Sequence, residues 1–276
     1  LFCDIASITK DSVVLDNCCG TSGFLVAAMQ RMVSEAKGNK EKIFNIKTKQ
    51  LIGIEYQDHI FTLGVSNMII HGDGKTNIIK GDCFNRIADA AKYHPTVGFL
   101  NPPYNDTTGI NELKFILNNL SAIEKNGCVV AIVPMSCALY QNGEGAELKR
   151  QLLENHTLEA VMSMPDDLFY PVGVVTCIMV FTAHVPHSTS KKKTWFGYWK
   201  DDGFTKSKQQ GRIDYHGKWE TIKARWVESF INREVHAGES VINYVSHQDE
   251  WCAEAYMETD YSKISLQDFE KVIKDY

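Results

Sequence analysis

Apolar positions in the first two-thirds of the chain fall in short, nearly unbroken runs separated by amphipathic stretches. Val13-Val14-Leu15, Leu51-Ile52-Gly53-Ile54, Asn77-Ile78-Ile79, Val97-Gly98-Phe99-Leu100 and Cys128 to Val133 read as strands. Helical stretches around Phe24 to Met29, His59 to Ile70 and Glu112 to Glu124 lie between them. Strands that alternate with helices, each strand nearly all apolar, predict an α/β fold with a parallel sheet covered on both faces.

The pattern then changes. His156 to Met162 and Thr176 to Phe181 lie close together with no helix-length segment between them. Such spacing predicts an antiparallel edge appended to a mostly parallel sheet. Beyond Ser188 the chain becomes aromatic, charged and irregular. The expected division is a core over 1–187 and a small C-terminal appendage over 188–276.

A chain of 276 residues, 44% hydrophobic and 23% charged, suffices for one substantial core. No apolar run approaches the roughly 20 residues of a membrane span, and Leu1-Phe2-Cys3-Asp4 does not open a signal peptide. The first residue is not Met and the first strand is expected almost at once, which predicts a piece of a longer polypeptide. The eight cysteines form no CxxC pair, and most sit in apolar runs. A reduced, cytoplasmic protein without a structural metal is the expectation.

Net charge is −5, which argues against broad nucleic-acid binding by the whole chain. Its distribution is uneven. Lys191 to Arg225 carries ten Lys/Arg against four Asp/Glu, and Trp226 to Tyr276 carries four against eleven. A basic patch beside an acidic tail suits DNA on one side and a protein partner on the other; two ordinary solvated faces would give the same count.

The first run leads into Asp16-Asn17-Cys18-Cys19-Gly20-Thr21-Ser22-Gly23, a strand end, a tight turn and a helix start. Gly20 and Gly23 permit positive φ and close backbone approach of a ligand. The acid at the strand end suits a ligand with an ammonium group and is wrong for a loop that only cradles phosphate. Glu55 ends the second strand, where an acid can accept from ribose hydroxyls. Asp82 follows the third and could accept from an adenine amine, with Cys83 and Phe84 against the ring. Three acids at successive strand ends mark the edge where open α/β sheets bind ligands.

After the fourth run comes Asn101-Pro102-Pro103-Tyr104. The prolines fix φ and donate nothing, leaving carbonyl acceptors beside the Asn101 side-chain oxygen. Two converging acceptors suit a planar NH2 group and would hold both of its protons. Tyr104 offers a face for a ring. A base in a duplex reaches such a site only when flipped out.

Together these residues resemble the gamma-type N6-adenine DNA methyltransferases, most closely the modification subunit of type I restriction-modification systems. The resemblance runs from about Val13 to Tyr261. It implies a Rossmann-like S-adenosylmethionine-dependent methyltransferase fold and S-adenosyl-L-methionine bound by Asp16, Cys18, Gly20, Thr21, Ser22, Gly23, Glu55, Asp82 and Cys83. Catalysis would fall on Asn101, Pro102, Pro103 and Tyr104. Double-stranded DNA and a specificity subunit or fused recognition domain are the implied partners. Met164 to Phe169 with Gly173 and Thr176, Asp201 to Phe204, and Glu254-Ala255-Tyr256 resemble further family segments without implying a chemistry. Two positions depart from the family loop, where Asn17 stands for Pro and Ser22 for Gly. An aromatic Thr-Pro segment that closes over the cofactor in the family would lie before Leu1.

The same four-residue motif serves methylation of a protein glutamine amide, and RNA methylation and a noncatalytic scaffold are further alternatives. Lys191 to Arg225, interleaved with Trp195, Phe196, Tyr198 and Trp199, could contact phosphates and a flipped base; equally, it could pack on the core.

Overall fold

The computed structural model describes residues 1–73, 77–104, 111–207, 211–258 and 266. The strands are β1 (Val14–Asp16), β2 (Leu51–Glu55), β3 (Asn77–Lys80), β4 (Val97–Leu100), β5 (Cys128–Pro134), β6 (Thr157–Ser163), β7 (Thr176–Thr182), β8 (Thr194–Tyr198), β9 (Thr205–Ser207), β10 (Gly211–Ile213) and β11 (Ser240–Asn243). The helices are α1 (Phe2–Ile5), α2 (Gly23–Glu35), α3 (Lys40–Lys49), α4 (Asp58–Ile70), α5 (Cys83–Ala91), α6 (Glu112–Ala122), α7 (Ser136–Leu139), α8 (Gly143–Asn155), α9 (His187–Ser190) and α10 (Trp219–Asn232). A short helix, for which no element was expected, precedes the first strand, and β1 falls where the Val13-Val14-Leu15 run predicts it.

Nine strands form one sheet in the order β11-β8-β6-β7-β5-β4-β1-β2-β3. β1 to β5 are parallel neighbours in that order, and β7 runs antiparallel between β5 and β6. The antiparallel pairing expected for 156–181 is therefore present, but it does not end the sheet. β8 pairs parallel with β6, and β11 antiparallel with β8. Two strands from beyond Ser188 join the core sheet, because Trp195 and Phe196 bury both faces of a segment whose composition looks irregular.

The sheet separates two apolar layers. Leu113, Ile116 and Leu120 of α6 and Leu148 and Leu152 of α8 pack on one face. Leu25, Met29 and Met32 of α2, Met68 of α4 and Trp226 of α10 pack on the other. Successive β1 residues alternate between them, with Val14 in one layer and Leu15 in the other, as a strand covered on both sides requires. Among the described residues no helix is long and apolar enough to cross a membrane.

The strand order reverses at β1, which lies between β2 and β4. Carboxyl ends of parallel strands beside such a reversal diverge and leave a crevice. Asp16, Glu55 and Asn101 all stand at that edge.

Candidate active site

The turn after β1 depends on two left-handed residues, Gly20 at φ +53° and Ser22 at φ +65°. Ser22 is fully buried and caps α2. Its conformation is the one glycine favours, which explains the family's Gly at this position. Opposite, α4 comes so close that a Cβ on Gly64 would lie 2.7 Å from the Gly20 carbonyl oxygen and 2.9 Å from Ser22 Oγ. At Gly20 and Gly23, by contrast, a Cβ would meet nothing within 4 Å. The turn is thus braced from behind by α4 and open in front.

Two acids hold it. Glu55 Oε2 accepts from the Gly20 N–H at 3.0 Å, and Oε1 accepts from the Gln57 N–H at 2.7 Å. Asp16 is buried and accepts from the Cys18 N–H at 3.1 Å. Burial pushes its carboxyl up to about 7; the Cys18 N–H opposes this and the Glu55 charge reinforces it. A buried carboxyl beside a second one is an unsatisfied demand for a cation.

Asn17 has a specific part. Its Nδ2 donates to Asn118 Oδ1 at 2.9 Å and to the Phe115 carbonyl at 3.3 Å, while its Oδ1 accepts from Asn119 Nδ2 at 2.7 Å. Asn119 Nδ2 also donates to the Phe99 carbonyl of β4 at 3.1 Å. A Cβ at residue 98 would collide with Asn119 Oδ1, so Gly98 makes room for this side chain. A proline at 17 could make none of these bonds. The network ties the turn after β1 to the end of β4 through α6.

Asp82 caps α5: Oδ1 accepts from the Phe84 N–H at 2.9 Å and Oδ2 from Asn85 Nδ2 at 3.3 Å. The Cys18 thiol is hydrogen-bonded to the free Cys83, and this bond together with burial holds its pKa well above the usual value. Phe84 packs on Phe115, centroids 4.9 Å apart. Thr21 is exposed, its carbonyl accepting from Asn67 Nδ2 at 2.8 Å.

Asn101 directly follows β4. Its Oδ1 is buried and has no hydrogen-bond partner among the described residues. Such an acceptor carries a desolvation cost that a bound donor would relieve. Pro102 is buried and Pro103 exposed. Tyr104 donates its hydroxyl to the Ile132 carbonyl at 3.1 Å, and burial pushes its phenol pKa up. Its ring meets Phe169 edge-on, with centroids 5.7 Å apart and planes at 85°.

Asn118, Asn119 and Phe169 carry no expected role in the sequence, yet they border the site. Two consecutive asparagines inside an apolar helix are the signal that could have revealed the first pair, since Asn is a poor helix former without a reason to be there. Phe169 lies in the Met164 to Phe169 segment, recognisable only as a family mark.

Among the basic and aromatic residues after 191, Trp195, Phe196 and Trp199 are buried. That removes them as stacking faces and leaves Tyr198 at the surface. Trp199 stacks on Trp226 with centroids 4.9 Å apart, and Trp226 meets Trp219 edge-on. Lys192, Lys200, Lys206, Arg212, Lys223 and Arg225 each pair with an acid of this chain. The buried aromatics of this stretch serve internal packing, while Lys191, Lys192, Lys193, Lys206, Lys218 and Arg225 remain exposed. The Tyr261 end of the expected resemblance lies outside the described residues.

A mostly parallel sheet with acids at its strand ends and a glycine turn at its reversal point is the fold of the Escherichia coli EcoKI M protein, on which this chain superposes with a TM-score of 0.67 at 20% identity, covering 80% of this chain and 51% of that one. The sequence profile described as N-6 DNA Methylase matches residues 1–114 and 107–276, and the chain belongs to that family. It is 37% identical over 221 residues to the type II restriction enzyme and methyltransferase RM.BcgI of Heyndrickxia coagulans, covering 77% of this chain and 34% of that one. It is 24% identical over 191 residues to the type I restriction enzyme EcoKI methylase subunit of Escherichia coli K12, covering 62% and 36%. The chain therefore spans about a third of the length of these relatives. A chain from a type I restriction-modification assembly superposes with a TM-score of 0.74 at 20% identity, covering 99% of this chain and 61% of that one.

Proposed function

We propose that this chain is the catalytic core of a DNA methyltransferase that moves a methyl group from S-adenosyl-L-methionine to N6 of a flipped-out adenine. The observation that carries the reading is the buried, unpartnered Asn101 Oδ1 at the strand end next to the glycine turn. Family membership supplies the substrate class.

The residues present fit the cofactor. Asp16 would face its ammonium group, Glu55 its ribose hydroxyls, and Asp82 with Cys18 and Cys83 its adenine. The space before Gly20 and Gly23 would take the amino-acid part, with Thr21 and Ser22 shaping the turn. When bound, S-adenosylmethionine supplies an electrophilic methyl group on a sulfonium.

The chain's own contribution is positioning and electrostatics. Asn101 Oδ1 and the Pro102 carbonyl accept hydrogen bonds from the two amine N–H groups and direct the nitrogen lone pair away from the ring. Pro103 stiffens the turn. Tyr104, anchored to Ile132, presents its ring to the base. No strong base is needed before attack, because the amine sheds its proton only once it has become cationic.

Double-stranded DNA is the proposed substrate, and a specificity subunit or fused recognition domain is the proposed partner. Restriction-modification is the setting in which the relatives' names place those proteins. The test is incubation with methyl-labelled S-adenosylmethionine and either duplex DNA, RNA or a glutamine-bearing protein acceptor. Label in N6-methyladenine of the DNA supports the reading. Label only in RNA or protein, or none, overturns it.

A further inference from the structure

Three segments without an assigned chemistry meet at one place. Asp202 is buried and accepts a two-pronged pair from Arg212, with Nη1 donating to Oδ2 at 2.9 Å and Nη2 to Oδ1 at 2.7 Å. The same guanidinium lies over the Phe204 ring, 5.4 Å from its centroid. Its Nε stands 3.1 Å from Asp167 Oδ1, an ion-pair contact without hydrogen-bond alignment. Lys206 approaches the other oxygen of Asp167 at 3.4 Å and lies 5.6 Å over the Tyr170 ring. On the far side Lys200 pairs with Asp166 at 2.7 Å and with Glu254 at 3.6 Å, while Glu254 accepts from Ser163 Oγ at 2.6 Å.

Arg212, Lys206, Lys200 and Glu254 each reach residues 163–170, and Phe169 of that segment meets Tyr104. The segment has little regular structure of its own. It is a string of turns, with Leu168 N–H donating to the Pro165 carbonyl and Tyr170 N–H to the Asp167 carbonyl. A turn of this kind holds its ring in one place only if its polar side chains are pinned. Planar guanidinium-carboxylate pairing is strong and directional, and here it joins Arg212 to Asp202, while the charges of Arg212 and Lys206 hold Asp167. Arg212 is itself fixed by buried Asp202, so Asp167 meets a preset cation.

We infer that Arg212, held by Asp202, is a positioning residue that acts through Asp167 to keep Phe169 against Tyr104, and that Lys200 with Glu254 pins the same segment from the other side. The strands and turns after β8 thus serve the acceptor side of the site, and the cofactor side is built without them. This inference rests on the proposed function in locating the acceptor at Asn101 and Tyr104.

Asp167→Asn is the informative variant, because it breaks the contact to the segment and leaves the Arg212–Asp202 pair whole. Asp167→Glu is the conservative rescue, and Arg212→Met is the direct but more disruptive change. The protein is assayed with its partner and a duplex that the wild type methylates. Expected for D167N is a loss of roughly tenfold in kcat/KM for DNA, from an acceptor ring misplaced by a fraction of an ångström. Its affinity for S-adenosylmethionine stays within about twofold of wild type, and D167E recovers most of the loss. Chymotrypsin, which cuts after aromatic residues, should cleave D167N faster after Phe169 or Tyr170 at an unchanged melting temperature. Wild-type kinetics and wild-type cleavage in D167N would overturn the inference. A wild type that methylates no DNA overturns the proposed function instead, and the cleavage comparison still judges the positioning of Phe169 by Asp167.

Discussion

Glu55 Oε2 accepts a 3.0 Å hydrogen bond from the backbone N–H of Gly20, so the acid that ends β2 braces the turn that follows β1. The same carboxylate bonds the Gln57 N–H. A side chain proposed to bind ribose is therefore also part of the scaffold of the turn. In E55Q the amide can accept one of these bonds through its oxygen but cannot accept through its nitrogen. S-adenosylmethionine affinity should fall at least tenfold, since a charge-assisted bond contributes about 1.5–3 kcal/mol. Calorimetric titration of wild type and E55Q checks this.

Asp16 makes the protein's behaviour depend on pH. Its carboxyl titrates near 7 when folded, against an ordinary 3.8. Between those values the folded state keeps a proton that the unfolded state has lost. Its contribution to stability is therefore complete below 3.8 and is lost as pH rises through 7. An ammonium-bearing ligand selects the ionised form, so cofactor affinity should rise from about pH 6 to about pH 8. D16N should flatten both trends, read as melting temperature and as Kd across that range.

Asn101 should matter for chemistry and not for folding. Its Oδ1 has no partner among the described residues, so removing it forfeits no bond. N101A should leave the melting temperature and the cofactor Kd close to wild type. Methyl transfer should drop by a factor of roughly 100 to 1,000, the scale of losing one aimed electrostatic contact. A single-turnover rate beside a thermal melt decides between the two effects.

Lys149 is the clearest stabilising polar residue outside the site. It is fully buried and donates to the carbonyls of Ala138, Tyr140 and Asp249 at 3.1, 2.7 and 2.5 Å. Its ammonium also lies 4.5 Å from the Trp251 ring centroid. Burial lowers its pKa to about 8, and the nearby Asp249 opposes that shift. K149M fills the space but strands three carbonyls, at a cost of about 3 kcal/mol. Urea unfolding should show the midpoint shifted with an unchanged slope.

Much of the candidate site can be read along the chain, because four of its polar residues end or closely follow a strand. Asp16, Glu55, Asp82 and Asn101 announce themselves by position, and the left-handed turn at Gly20 is announced by its glycine. A strand end is a local event, and local patterns register it. The sequence alone determined the alternation of strands and helices and the chemical kinds of group at the strand ends. Tertiary structure decided the sheet order that makes neighbours of β1 and β4, and the passage of β8 and β11 into the same sheet. It also decided that Asn17 meets Asn118 and Asn119 about a hundred residues away, and that Arg212 grips Asp167 beside the acceptor turn. Those contacts depend on which surfaces pack together. Hydrophobic periodicity says only that a face will be buried, not against what.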